Sequence, residues 1–258
     1  GLRRADRPDH GYGRAGYAVV EKTENDTALY LDGGSNYLSL TNGDGTSLLA
    51  GKEEITISLD TKQGRTSTNW IFYAAPNTGT QTYLKEQYFG AMTQNGNIKI
   101  ERYKSAETGS RAACPEAATG SNWAHIDVVV AEDSTSLYIN GQLVENGTVE
   151  SDYKLSEILG DSGIFYIGKA NWEQGEYAQT WIDNFRIYDG KLSEEEITAQ
   201  YEAFAEEMVW DGVSLPLDLV RGDLELPAQN SAGEEVTWVS GDPSIIGNDG
   251  KLMSQPLD

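Results

Sequence analysis

Between residues 28 and 188 apolar and polar positions alternate in short runs, each broken by glycine, asparagine or proline. Ile55-Thr-Ile-Ser-Leu59 is the cleanest run: Ile55, Ile57 and Leu59 fall on one side and the hydroxyls on the other, the period-two pattern of a strand with one buried face. Similar runs cover 28–32 before Gly33-Gly34, 37–40 before Asn42-Gly-Asp-Gly45, 70–73 before Pro76-Asn77, and 98–103. The stretch 123–130 is the most buried in character, with Ile126, Val128 and Val130 forming its apolar face. In 136–144 the dipeptide Asn140-Gly141 separates two alternating runs and predicts a hairpin, because a type I′ turn needs positive φ at both central residues. Runs at 164–168 and 181–188 complete at least nine strands, and the Gly/Ala/Ser-rich 105–121 reads as a long loop. With no helical period between them, these strands predict an all-β antiparallel sandwich.

One helix is signalled, after the last strand. Leu192-Ser-Glu-Glu-Glu-Ile197 contains a capping box, Ser193 with Glu196, flanked by Leu192 and Ile197 as a hydrophobic staple. Three glutamates in the first turn favour the positive end of the helix dipole. Ile197, Tyr201, Phe204 and Met208 then form one apolar stripe, so the helix is expected to lie on the sandwich. Beyond residue 209 the pattern changes: four of the seven prolines and three short β-type segments (215–219, 235–239, 251–253) occupy the remainder. The chain therefore divides at 1–208 and 209–258. Some fifty residues with three strands do not close a sandwich alone. The second part reads either as the opening of a further β domain or as a tail docked on the first.

Charge narrows the partners. Nineteen basic against 41 acidic residues give a net charge of −22, which repels phosphate backbones and anionic lipid and leaves neutral polymers and divalent cations as reasonable partners. The single cysteine, Cys114, excludes an intramolecular disulfide, and two histidines, His10 and His125, offer no zinc cluster. No apolar run approaches the roughly 18 residues that span a bilayer.

Four segments resemble the laminin-G-like, concanavalin A-type jelly rolls: Ala28-Leu-Tyr-Leu-Asp-Gly-Gly-Ser-Asn-Tyr-Leu-Ser-Leu40, Asn122-Trp-Ala-His-Ile-Asp-Val-Val-Val130, Leu137-Tyr-Ile-Asn-Gly-Gln142 and Ile182-Asp-Asn-Phe-Arg-Ile-Tyr-Asp-Gly-Lys-Leu-Ser-Glu-Glu-Glu-Ile197. The last, a final strand followed at once by a capped helix, is the most specific, and the likeness covers roughly residues 9–204. Gly222-Asp-Leu-Glu-Leu-Pro227 and Val236-Thr-Trp-Val-Ser-Gly-Asp-Pro-Ser244 are similar to the first half of a bacterial immunoglobulin-like repeat. Together the resemblances imply an accessory module of a secreted or cell-surface bacterial glycoside hydrolase, of the arabinan- or xylan-degrading kind. It would hold polysaccharide or pack against neighbouring domains of the same polypeptide. A cell-surface adhesion module and a hydrolase in its own right are the alternatives.

The resembled enzymes place two carboxylates on one strand as Glu-x-Asp-x-x-Glu, and this spacing is absent here. Glu132 and Asp133 are adjacent and point oppositely, and His125, in register with Trp123 and Asp127, reads as a structural histidine. The resemblance further implies a structural calcium joining the early Asp-Gly turn to the final strand: Asp32 and Asp183, with backbone oxygens near Gly33, Ser35 and Tyr37. Read by itself, Asp32 makes an Asx turn. For sugar, ring faces must be presented beside hydrogen-bonding groups. The loop 169–179 offers Trp172 and Tyr177 among Asn171 and Gln179, with the alternative that Trp172 only packs the loop down. Trp70, Trp123 and Trp181 lie within strands and read as core or sheet-face residues.

Overall fold

The computed structural model describes residues 17–23, 26–43, 45–76, 87–104, 115–119, 122–150, 153–161, 163–172, 176–210, 223–230, 233, 235–240 and 243–253. Two antiparallel sheets pack face to face, as the alternation demands. The seven-stranded sheet runs β1 (Tyr17–Thr23), β2 (Asp26–Asp32), β13 (Gln179–Asp189), β4 (Ile55–Gln63), β9 (Ala124–Val130), β10 (Ser134–Ile139), β11 (Gln142–Glu150). The six-stranded sheet runs β3 (Leu38–Ser39), β12 (Ile164–Ile167), β5 (Asn69–Ala75), β6 (Tyr88–Gln94), β7 (Asn97–Tyr103), β8 (Glu116–Ala118). The last strand thus enters the middle of its sheet between β2 and β4, a non-sequential order that ties the C-terminal end of the sandwich to its beginning.

Between the sheets lies one apolar layer. Ile55, Ile57 and Leu59 meet Ile126, Val128 and Val130 within the first sheet and face Phe72, Phe89 and Phe165 of the second. The core thus takes alternate residues, as expected. The hairpin forms at Asn140 and Gly141, with φ of 52° and 73°. Arg102 fastens the edge: its buried guanidinium donates to the carbonyls of Ala131 (2.8 Å), Glu132 (2.8 Å) and Ser134 (3.1 Å), and burial lowers its pKa.

Four elements escape the sequence pattern, the first being β1, which precedes the runs read as strands from residue 28. β6 is buried over six of seven residues on both faces, so it shows no alternation. β8 falls inside the expected loop 105–121. The five-residue α1 (Leu155–Leu159) buries Leu155, Ile158 and Leu159 and is too short for a periodic signal.

The expected helix is α2 (Glu194–Trp210). Its capping box is made: Ser193 N donates to Glu196 Oε2 at 2.8 Å, and Glu196 N to Ser193 Oγ at 3.3 Å. Ile197 and Phe204 are buried, and the helix lies on the outer face of the seven-stranded sheet. Beyond it, the described residues hold two isolated bridges, Gln229 with Glu235 and Ile246 with Leu252, where strands at 235–239 and 251–253 were expected. The expected 215–219 strand, His10 and Cys114 lie outside the described residues.

Candidate functional site

The outer faces of the two sheets differ. On the seven-stranded sheet the outward residues of β4 and β9, Val129 apart, are polar, and α2 packs against β9. His125 stands between two carboxylates, Nδ1 at 2.7 Å from Asp60 and Nε2 at 3.3 Å from Asp127, with all three residues at most 1% exposed. Ser58 donates to Asp127, Asn184 donates to Asp60 at 2.9 Å, and Phe204 of α2 closes over the imidazole at 5.8 Å. Burial opposes the imidazolium, but the hydrogen bonds and charge of Asp127 and Asp60 outweigh it and raise the pKa to about 9. His125 is thus locked into a buried network beneath α2, in keeping with the structural role its place in the strand suggested. A cavity of about 220 Å³ adjoins this cluster, bordered by Arg186, Gln200 and Glu207.

On the six-stranded sheet the outward face carries a cluster of aromatic rings. Trp70 and Tyr73 of β5, Tyr88 of β6 and Tyr103 of β7 form a continuous layer with Trp172 from the loop above. Trp172 meets Trp70, Tyr73 and Tyr88 at centroid distances of 5.4, 5.3 and 5.6 Å, all edge to face. That is the preferred arrangement for ring quadrupoles. Gly90 on β6 is what lets the indole of Trp70 lie down: a Cβ there would stand 2.8 Å from that ring and 2.6 Å from the Phe72 carbonyl. Trp172 is only 7% exposed and Asn171 only 6%, so neither is the open platform that the sequence offered. The packing alternative describes Trp172.

The loop is held down beside it. Glu176 accepts the indole N–H of Trp70 at 2.7 Å, and its carbonyl accepts the Trp70 amide at 3.1 Å. Glu176 takes φ of 45°, a left-handed conformation that a non-glycine residue keeps only when its surroundings impose it. Glu101, on the same face, accepts from the Tyr88 hydroxyl at 2.6 Å. Glu101 and Glu176 border one cavity of about 60 Å³ with Trp70, Tyr88 and Trp172. Sequence spacing could not reveal this pair, because one carboxylate comes from a strand and the other from a loop 75 positions later.

Where the aromatic layer reaches the edge of the sheet it opens. Tyr166 of β12, opposite Tyr73 in register, meets Tyr37 edge to face at 5.1 Å, and Tyr177 completes the group at 6.4 Å from Tyr37. Tyr37 is 41% exposed. Lys169 lies over all three rings, its ammonium 4.4 Å from Tyr37, 4.9 Å from Tyr166 and 5.8 Å from Tyr177. Partial burial lowers the pKa of Lys169 and raises that of Tyr166. Gln179, half-buried, begins β13 and reaches Tyr30 at 3.4 Å on the other sheet, away from this group. Tyr37, Tyr166 and Lys169 were not singled out as binding residues from sequence, where Tyr37 entered only through its backbone. The clue was there in a tyrosine just before β3 and another within the short β12.

The residues implied for calcium do not converge. Asp32 pairs with Gln179, and Asp183 lies four positions further along β13, roughly 13 Å away at the rise of a strand. Asp32 Oδ1 accepts the Gly34 amide at 2.8 Å, the Asx turn read from the residue alone. The Gly33 carbonyl faces the Arg65 guanidinium at 3.3 Å, a cation where calcium was expected. Ser35 is exposed beside it. Calcium takes six to eight oxygens, so a site built on Asp32 and one built on Asp183 would be separate. Among the described residues no group of three or more His, Cys, Asp or Glu is arranged to hold a metal ion, and no helix is long and apolar enough to cross a membrane.

Comparison with known proteins adds the following. The family Laminin_G_3, described as the concanavalin A-like lectin/glucanases superfamily, matches residues 32–198. No curated protein matches the chain. Among solved structures, domain 4 of AbnA, a GH43 extracellular arabinanase from Geobacillus stearothermophilus in complex with arabinotriose, is 20% identical with a TM-score of 0.52. The match covers 74% of this chain and 82% of that one. The CBM40 of the Ruminococcus gnavus IT-sialidase is 14% identical, TM-score 0.52, covering 67% and 96%. The leech intramolecular trans-sialidase is 15% identical, TM-score 0.55, and the match covers 67% of this chain but 26% of the enzyme. At these identities the likeness is one of fold.

Proposed function

The chain belongs to the concanavalin A-like lectin/glucanases superfamily, and from that premise we propose that it is a carbohydrate-binding jelly-roll module that holds a glycan at the tyrosine edge of its six-stranded sheet. One observation carries the reading: among the described residues the outward aromatic layer buries Trp70, Tyr73, Tyr88, Tyr103 and Trp172, while Tyr37, Tyr166 and Tyr177 keep ring surface partly exposed beside the loop 176–179. Sugar C–H faces stack on such rings, while hydroxyls seek the polar groups around them. The fold's neighbours support it: AbnA domain 4 was solved with arabinotriose, and the Ruminococcus gnavus CBM40 with α2,3-sialyllactose. We place the module in an extracellular multidomain glycosidase, with 209–258 as part of a separate immunoglobulin-like unit. Titration of the chain with arabino- and xylo-oligosaccharides and with acidic ones, followed by tyrosine fluorescence or NMR, tests the reading. Saturable binding weakened by Tyr177→Ala supports it, and no binding of any class at millimolar sugar overturns it.

A second reading, glycoside hydrolysis, rests on the cavity shared by Glu101 and Glu176. Against it, both carboxylates are already engaged, by Tyr88 and Trp70, and the cavity admits a few waters rather than a sugar ring. Release of reducing sugar that disappears in both Glu101→Gln and Glu176→Gln would establish it.

A further inference from the structure

Lys169 is out of place in so acidic a protein. With 41 acidic residues to 19 basic, an exposed or half-buried lysine finds a carboxylate easily. Six of the eight lysines whose side chains are described do so, within 3.6 Å. Lys62 and Lys169 instead lie over aromatic rings, Lys62 above Trp181 at 5.6 Å and Lys169 inside the tyrosine group. The nearby Arg65 also meets no carboxylate: it donates to the backbone carbonyls of Tyr177 and Gly33, with its Nε buried and unpartnered. Cation–π attraction holds an ammonium over a ring but leaves its hydrogen-bond donors unused by any anion. Tyrosine rings on three sides and a half-buried ammonium with uncompensated charge together make a seat for a sugar ring with a carboxylate on it. The stem of Lys169 and the rings take the apolar face, and the ammonium takes the charge.

We propose that the tyrosine edge selects acidic sugars, with Lys169 pairing to a pyranose carboxylate while Tyr37 and Tyr177 pack against the ring. The inference rests on the carbohydrate-binding reading above and deepens it. The shared chemistry is a carboxylate-bearing pyranose, and two sources offer it, a uronic acid and a nonulosonic acid.

The test compares the intact chain binding trigalacturonic acid and 3′-sialyllactose with binding of the methyl ester of each, by calorimetry at 20 mM and 300 mM salt. Esterification removes the charge and keeps the ring, so the expectation is at least tenfold tighter binding of one acid than of its ester. That gap should narrow at 300 mM salt as the pair is screened. The source is the acid that shows the gap. Lys169→Met should erase the gap with the ester's affinity unchanged, and Lys169→Arg should keep most of it. Equal binding of acid and ester, or a gap that survives Lys169→Met, overturns the selection of acidic sugars and leaves the carbohydrate-binding reading standing. Binding of no sugar, charged or neutral, overturns both. Should Lys169→Met fail to fold by circular dichroism, Lys169→Arg and the salt dependence of the native chain decide.

Discussion

The indole N–H of Trp70, on β5, donates to the Glu176 carboxylate at 2.7 Å, joining the outward aromatic layer to the loop that ends in Tyr177. The contact is local, but its reach is not. It fixes a loop residue with φ of 45° and so sets where the next side chain, Tyr177, is delivered. Glu176→Ala should leave the sandwich folded and weaken glycan binding through Tyr177, whereas Glu176→Gln, which keeps an acceptor, should bind as the native chain does. Parallel titrations of the two variants check this; equal loss in both would separate Glu176 from the delivery of Tyr177.

Trp172 and Tyr177 lie five residues apart and should respond oppositely to truncation. Trp172→Ala empties the middle of a ring cluster and should cost about 3–5 kcal/mol of stability, the range for large aromatic-to-alanine core changes. Tyr177→Ala should change stability by under about 1 kcal/mol and weaken glycan binding by about 1–3 kcal/mol, by analogy with lost aromatic stacking. Urea melts and titrations of both variants are decisive, and a stable Trp172→Ala chain would show that the packing around it is loose.

Gly90→Ala is expected to destabilise the chain by about 2 kcal/mol or more, because its Cβ would press on the Trp70 ring and the Phe72 carbonyl. The near-ultraviolet dichroism of the displaced indole should change along with the melting temperature. A neutral substitution would mean that β6 shifts away from β5 at little cost.

For His125 the folded pKa, raised to about 9, exceeds the unfolded value near 6.5. Its contribution to stability is therefore complete below about pH 6.5 and is lost as the pH rises through about 9. The native chain should melt at progressively lower temperature between pH 7 and pH 9.5, and His125→Gln should flatten that slope while lowering stability at pH 6. An unchanged slope in the variant would assign the pH response elsewhere.

Chelation bears on Asp183. Because it does not share a site with Asp32, Asp183→Asn and the native chain should shift equally, if at all, when EDTA is added. A chelator effect that vanishes only in the variant would place a metal on Asp183 after all.

The fold was legible wherever a residue's local chemistry and its final environment agree. Asn140-Gly141 and the Ser193–Glu196 box each specify their own geometry, and both form. The alternation of β4 and β9 survives because one face meets the core. β6 was not legible: Tyr88-Phe-Gly-Ala-Met-Thr-Gln carries no two-residue period when loop aromatics cover its outer side. The site was half legible. The loop 169–179 supplies Lys169 and Tyr177 to the site proposed here, but burial of Trp172 depends on Trp70, Tyr73 and Tyr88, some hundred residues earlier, and no local pattern records it. Likewise, Asp32 and Asp183 part company through strand register, which hydrophobic spacing fixes only to which side a residue faces.

The helix α2 rides on one sheet and the tyrosines open from the other. A companion docked over α2 would therefore sit behind the sandwich and leave its front unshaded. A long glycan could then be gripped mid-chain, without threading an end past that companion.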